Sequence, residues 1–149
     1  MILKTLLLLA SAFALYWQIR MKKPFPLIIT SGMILGILMV LLPIEIIHVA
    51  GFYVYMGFVA LAFAYGVAFQ GENIGTRIVI MLMASSIITY WLYVINHWHG
   101  NELLAPIFAL IVGLVGVVSR VKLKNELGII IILAADALAI ILERLMTMG

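Results

Sequence analysis

The sequence predicts an all-α fold, a polytopic transmembrane bundle of about six helices with no soluble domain, on three observations. Of its 149 residues, 66% are hydrophobic and only 10% charged, whereas a soluble domain is nearer half apolar and a quarter charged. The apolar residues fall in continuous runs without period-two alternation, which in lipid means helices and not barrel strands. Six such runs approach the roughly 20 residues that cross about 30 Å of hydrocarbon, and the connections between them are too short to fold alone. Residues 1–149 are therefore expected to form a single integral membrane domain with the lipid bilayer as its first partner.

In order, the runs are Ile2–Ile19, Pro26–Ile47, Gly51–Phe69, Arg77–Ile95, Leu103–Val118 and Leu127–Leu142. The last two are short for a full crossing, which a tight hairpin or a locally thinned bilayer accommodates. The first has features of a secretory leader, because Lys4 precedes LLLLASAFA and Ala12-Phe13-Ala14 fits a small-x-small cleavage pattern. The charges favour its retention. A cleaved leader would put Arg20, Lys22, Lys23, Arg77, Arg120, Lys122 and Lys124 outside; the opposite insertion puts those seven inside and leaves Lys4 and Arg144 outside. Seven against two satisfies the positive-inside rule. Both termini are thus expected outside a plasma or inner membrane, with the basic loops cytoplasmic.

Small residues mark the expected packing faces. Gly32 and Gly36 form a GxxxG, while Ala60, Ala64 and Ala68, the pair Ala62 and Gly66, and the pair Ala135 and Ala139 repeat at four-residue spacing. Such spacing lets helix backbones approach closely in lipid. Tyr16 and Trp17, Tyr53 and Tyr55, and Trp91, Tyr93 and Trp98 fall near span ends, where amphipathic rings anchor at the interface.

Asp136 is the residue a bilayer does not explain. It lies near the middle of the last apolar run, where a charge costs roughly 3 kcal/mol on insertion scales. A partner, a water-filled path or protonation must offset that. Ser85 and Ser86 of the fourth run lie at similar depth, with Thr30 and Ser31 somewhat further in. Glu143 follows Asp136 by seven residues, nearly two helical turns, so both carboxylates share a face about 10 Å apart along the axis. Asp136, Glu143, Ser85 and Ser86 therefore form a candidate ion or proton relay opening outward. The simpler expectation is a neutral Asp136 bonded to Ser85 or Ser86 as interhelical glue.

A second constellation holds all three histidines. Glu45 and His48 are expected to end the second helix, and Asn96–Glu102 joins the fourth and fifth. His48, His97, His99, Glu45 and Glu102 offer imidazole and carboxylate ligands suited to a divalent metal such as Zn²⁺ or Cu²⁺. The alternative is an ordinary polar cap, with no cofactor.

The chain has no Cys, which removes disulfides, thiolate metal sites and Cys nucleophiles. A phosphate-binding glycine loop, G-x-S-x-G and H-E-x-x-H are all missing from the sequence, which weighs against an enzyme and leaves the histidine cluster as the one place for such chemistry. The net charge of +3 follows from topology and implies no nucleic acid. Three readings remain: a non-catalytic accessory or structural subunit with homo- or hetero-oligomeric membrane partners; a proton- or cation-coupled transporter or channel using Asp136; and a metal protein or enzyme built on the histidines.

Overall fold

The computed structural model describes residues 1–68 and 73–149. These form six helices and no strand: α1 (Ile2–Met21), α2 (Pro24–Leu41), α3 (Glu45–Ala68), α4 (Ile74–Ile95), α5 (Leu104–Val118) and α6 (Leu127–Met148). The first four are long and apolar enough to cross a membrane. Helix α5 has 15 residues, which rise only about 22 Å. Helix α6 has the length but carries Asp136, Glu143 and Arg144. Phe69, the expected end of the third span, lies outside the described residues.

The helix ends follow local chemistry. Lys22 closes α1 in the left-handed region at φ 54°, and Lys23 is extended ahead of Pro24, which starts α2 with a preset φ. Pro43 corrects the expected second span. It holds Leu42 extended, at ψ 140°, so α2 stops at Leu41 and not Ile47, and α3 starts at Glu45 and not Gly51. Asn73 caps α4 by accepting from the Gly75 N–H at 2.9 Å. Arg77 donates from Nε to the Gly66 carbonyl at 2.9 Å and from its guanidinium to Val67, covering open carbonyls at the C-terminus of α3.

Consecutive helices pack against one another, and α6 closes the ring on α1. Helix α6 also packs against α2, α4 and α5, leaving α3 as the helix that makes no sustained backbone approach to it. The core between them is mostly apolar: Met33 of α2, Ile80, Met83 and Ile87 of α4, and Ile129, Ile132 and Leu133 of α6 are all essentially inaccessible, as are the polar Gln18, Thr30, Thr76 and Glu126 toward the basic end. Outward faces are apolar too, with Leu9, Ile28, Leu35, Leu61 and Leu114 exposed. A surface of that kind belongs in lipid.

Two glycines allow close approaches that involve backbone or polar oxygens. A Cβ on Gly36 would lie 2.6 Å from the Tyr55 backbone nitrogen, so α2 and α3 meet backbone to backbone there. A Cβ on Gly128 would lie 2.7 Å from Gln18 Oε1 and 3.1 Å from both Ala14 O and Thr30 Oγ1. The Gly128 Cα–H is thus directed at three oxygens, a weak-hydrogen-bond arrangement common where membrane helices cross closely.

The α5–α6 turn is tied to both flanks. Trp17 Nε1 donates to the Lys124 carbonyl at 2.8 Å, Gln18 Nε2 to that of Asn125 at 2.8 Å, and Thr76 Oγ1 to that of Lys122 at 2.7 Å. This basic end of the bundle therefore brings together the α1–α2 and α5–α6 connections. At the opposite end the His48 Nδ1–H donates to the Val40 carbonyl at 2.7 Å, pinning the α2–α3 corner, and the Arg144 guanidinium pairs with Glu102.

Candidate functional site

The site forms where α6 carries its carboxylates past the other helices. Asp136 is partly buried, and its Oδ2 accepts a 2.8 Å hydrogen bond from the Tyr55 hydroxyl of α3. Tyr55 is itself buried, at 4% exposure, so its ring bridges the gap between two helices with no sustained backbone contact. Asp136 Oδ1 has no hydrogen-bond donor among the described residues. Trp91 Nε1 is buried without a hydrogen bond. It stands close enough to act on the carboxylate but outside bonding geometry, so Tyr55 is the partner that fixes Asp136.

Asp136 lies at the floor of a cavity of about 730 Å³. Met1, Lys4, Pro43, His48 and Glu143 line it near the end of the bundle where α2 meets α3, and Leu7, Ile37, Tyr55 and Asp136 line it further along the helices. The seven residues from His48 to Tyr55, and from Asp136 to Glu143, give it a depth of about 10 Å. Its walls are mostly apolar and include Phe52, Tyr53 and Trp91. The Phe52 and Trp91 rings meet edge to face, with centroids 4.8 Å apart at 70°. Asp136 and Glu143, placed on one face by their spacing, thus border the same space, with Glu143 nearer the end of the bundle.

Below Asp136 the bundle is closed. Ten residues toward the basic end, about 15 Å along each helix, Tyr65 donates to Glu126 Oε1 at 3.2 Å. Between this pair and the Tyr55–Asp136 pair lie the inaccessible side chains of Ile129, Ile132 and Leu133. Apolar packing therefore lies between the cavity and the Tyr65–Glu126 pair.

Ser85 and Ser86 are not at this site. Both hydroxyls donate to the Leu82 carbonyl of their own helix, at 3.0 and 2.7 Å, and both line a separate cavity of about 600 Å³ beside α5. They are neither relay neighbours of Asp136 nor its hydrogen-bond partners, because α4 turns that face toward α5 while presenting Trp91 to the larger cavity. The candidate metal set is not assembled either. Among the described residues no three His, Cys, Asp or Glu side chains gather. Glu45 and His48 start α3 and do not end α2; His48 is held on Val40; and Glu102 is engaged by Arg144. His97 sits in the left-handed turn after α4, at φ 49°.

Tyr55 is the residue that sequence reasoning misplaces, as an interfacial anchor. It shares a stripe with Gly51, Val59, Ala62 and Gly66, all buried in α3, and the spacing of Ala62 and Gly66 marks that face as a packing face. Extending it by i, i+4, i+7 puts Tyr55 inside. Trp91, also expected as an anchor, faces the cavity. Protein family models, characterised proteins and solved structures were compared with this chain, and none matches it.

Proposed function

We propose that this chain is a membrane carrier for a cation loaded from the outer side, with Asp136 as the intramembrane acceptor and Glu143 at the cavity mouth. One observation carries the reading: two carboxylates on one face of α6 border a single open cavity, and the deeper one keeps an oxygen without a donor. Ionisable groups at membrane depth that face a cavity mark ion and substrate paths. The buried apolar side chains of Ile129, Ile132 and Leu133 below Asp136 favour a carrier with one side open over a standing pore. The outward assignment rests on the placement of Lys and Arg.

The second reading, a non-catalytic accessory subunit with membrane partners, is favoured by the Tyr55–Asp136 bond, which by itself gives a buried carboxylate a packing role. The two separate on titration, because Asn accepts the Tyr55 hydroxyl equally well but neither ionises nor neutralises a cation. In proteoliposomes with an imposed proton or cation gradient, wild-type flux that disappears in a folded Asp136→Asn variant supports the carrier. No wild-type flux, together with normal function of Asp136→Asn in cells, leaves the accessory reading.

A further inference from the structure

The cavity is the wrong shape and chemistry for a bare ion. A divalent metal ion such as Ca²⁺ takes six or more oxygen ligands, and the floor offers one carboxylate and one phenol that is donating to it. A proton path needs a thread of water, not about 730 Å³ of mainly apolar space. That volume falls within the roughly 300–1,000 Å³ of pockets that enclose whole organic ligands. The distribution of groups is specific as well. Phe52, Tyr53, Tyr55 and Trp91 form an aromatic wall above a carboxylate with one undonated oxygen. Ring faces and a carboxylate together recognise an ammonium group, through the ring quadrupole and a charge-assisted hydrogen bond.

Resting on the reading of Asp136 as the cation acceptor, we infer that the cavity binds a lipophilic amine, an ammonium group on an apolar body, seated head-first on Asp136. The order of charge along the cavity selects this orientation. Lys4 and Glu143 line the mouth, a cation and a carboxylate together, while the floor holds Asp136 with no basic residue beside it among the described residues. A fatty acid or phospholipid would find Lys4 for its head at the mouth, but its tail would end on Asp136. An amine places its charge on the carboxylate and its carbon against the rings, where burying it is favourable.

The test is equilibrium binding to the whole protein in maltoside micelles, with radiolabelled 2-phenylethylamine as probe and 2-phenylethanol and 3-phenylpropionate as competitors. The expected result is saturable amine binding, with the uncharged alcohol at least about tenfold weaker, the scale of one charge-assisted hydrogen bond, and the carboxylate weaker still. This comparison needs no variant; Asp136→Asn should then weaken the amine by a similar factor and leave the alcohol unchanged. Equal competition by all three compounds would identify an acyl-chain groove and overturn the inference. Absent amine binding alongside Asp136-dependent proton flux overturns the ligand class and spares the carrier. Absence of both removes both.

Discussion

Tyr55 and Asp136 share a 2.8 Å hydrogen bond across two helices, α3 and α6, whose backbones make no sustained approach. Tyr65 and Glu126 repeat the arrangement ten residues away on each helix, at 3.2 Å. The matching offsets are what antiparallel helices of equal rise require. Helix α3 is therefore coupled to the centre of the bundle through two phenols, one under the cavity and one near the basic end.

The Tyr55–Asp136 bond should be measurable as a coupling energy. Asp136→Leu removes the acceptor and strands a buried hydroxyl, with an expected loss of about 1 kcal/mol, the scale of interhelical hydrogen bonds in membranes. Asp136→Asn should lose much less. Tyr55→Phe should cost a similar amount in the wild-type background and almost nothing in the Asp136→Leu background. Reversible unfolding in mixed micelles reads all four corners of the cycle; additive losses would mean the two side chains do not interact.

Two glycine substitutions should behave oppositely. A Cβ at Gly36 would meet the Tyr55 backbone at 2.6–2.7 Å, where no side chain can rotate away. Gly36→Ala should therefore cost about 1–3 kcal/mol, as overpacking does, and displace Tyr55. A Cβ at Gly57 would meet nothing within 4 Å, so Gly57→Ala should be neutral or gain up to about 1 kcal/mol of helix propensity. Melting temperatures in one detergent decide the order, and equal losses would contradict the α2–α3 packing.

Much of the fold could be read from the sequence because lipid imposes few solutions. The six apolar runs correspond to six helices, with α5 and α6 starting within one residue of expectation. The α2–α3 boundary failed because hydropathy continues through Leu41–Ile47 without a break, and only the backbone demand of Pro43 ends the helix. At the site, the seven-residue spacing of Asp136 and Glu143 was enough to place both on one cavity. Their partner was not legible from depth alone. Ser85 and Ser86 have suitable depth, but helix rotation decides direction, and it turns them toward α5. Tyr55 needed the stripe of α3 and not its distance from the span end.

Metal content should follow the separation of the histidines. With His48 committed to Val40 and Glu102 to Arg144, elemental analysis of purified protein is expected to find less than one metal per chain. A His97→Ala/His99→Ala variant should give the same value. One equivalent in wild type that is lost in the variant would contradict this arrangement.

Topology has its own test. A reporter active only in the cytoplasm, fused to Gly149, should be silent, because seven of nine Lys and Arg lie in or beside the loops at the other end. Strong reporter activity would invert the bundle and make the cavity an inward-facing one.

The most direct test of a cavity that opens outward onto Asp136 uses the absence of native cysteine. In Asp136→Cys, the single thiol can be labelled in intact cells with membrane-impermeant methanethiosulfonates, one cationic and one anionic. A thiol at the floor of this cavity should react from outside with both reagents. The cationic-to-anionic rate ratio should fall in Asp136→Cys/Glu143→Gln, because Lys4 then lines the cavity without a carboxylate beside it. Labelling only after the membrane is permeabilised, or no labelling in a folded variant, would contradict the outward cavity and the carrier reading built on it.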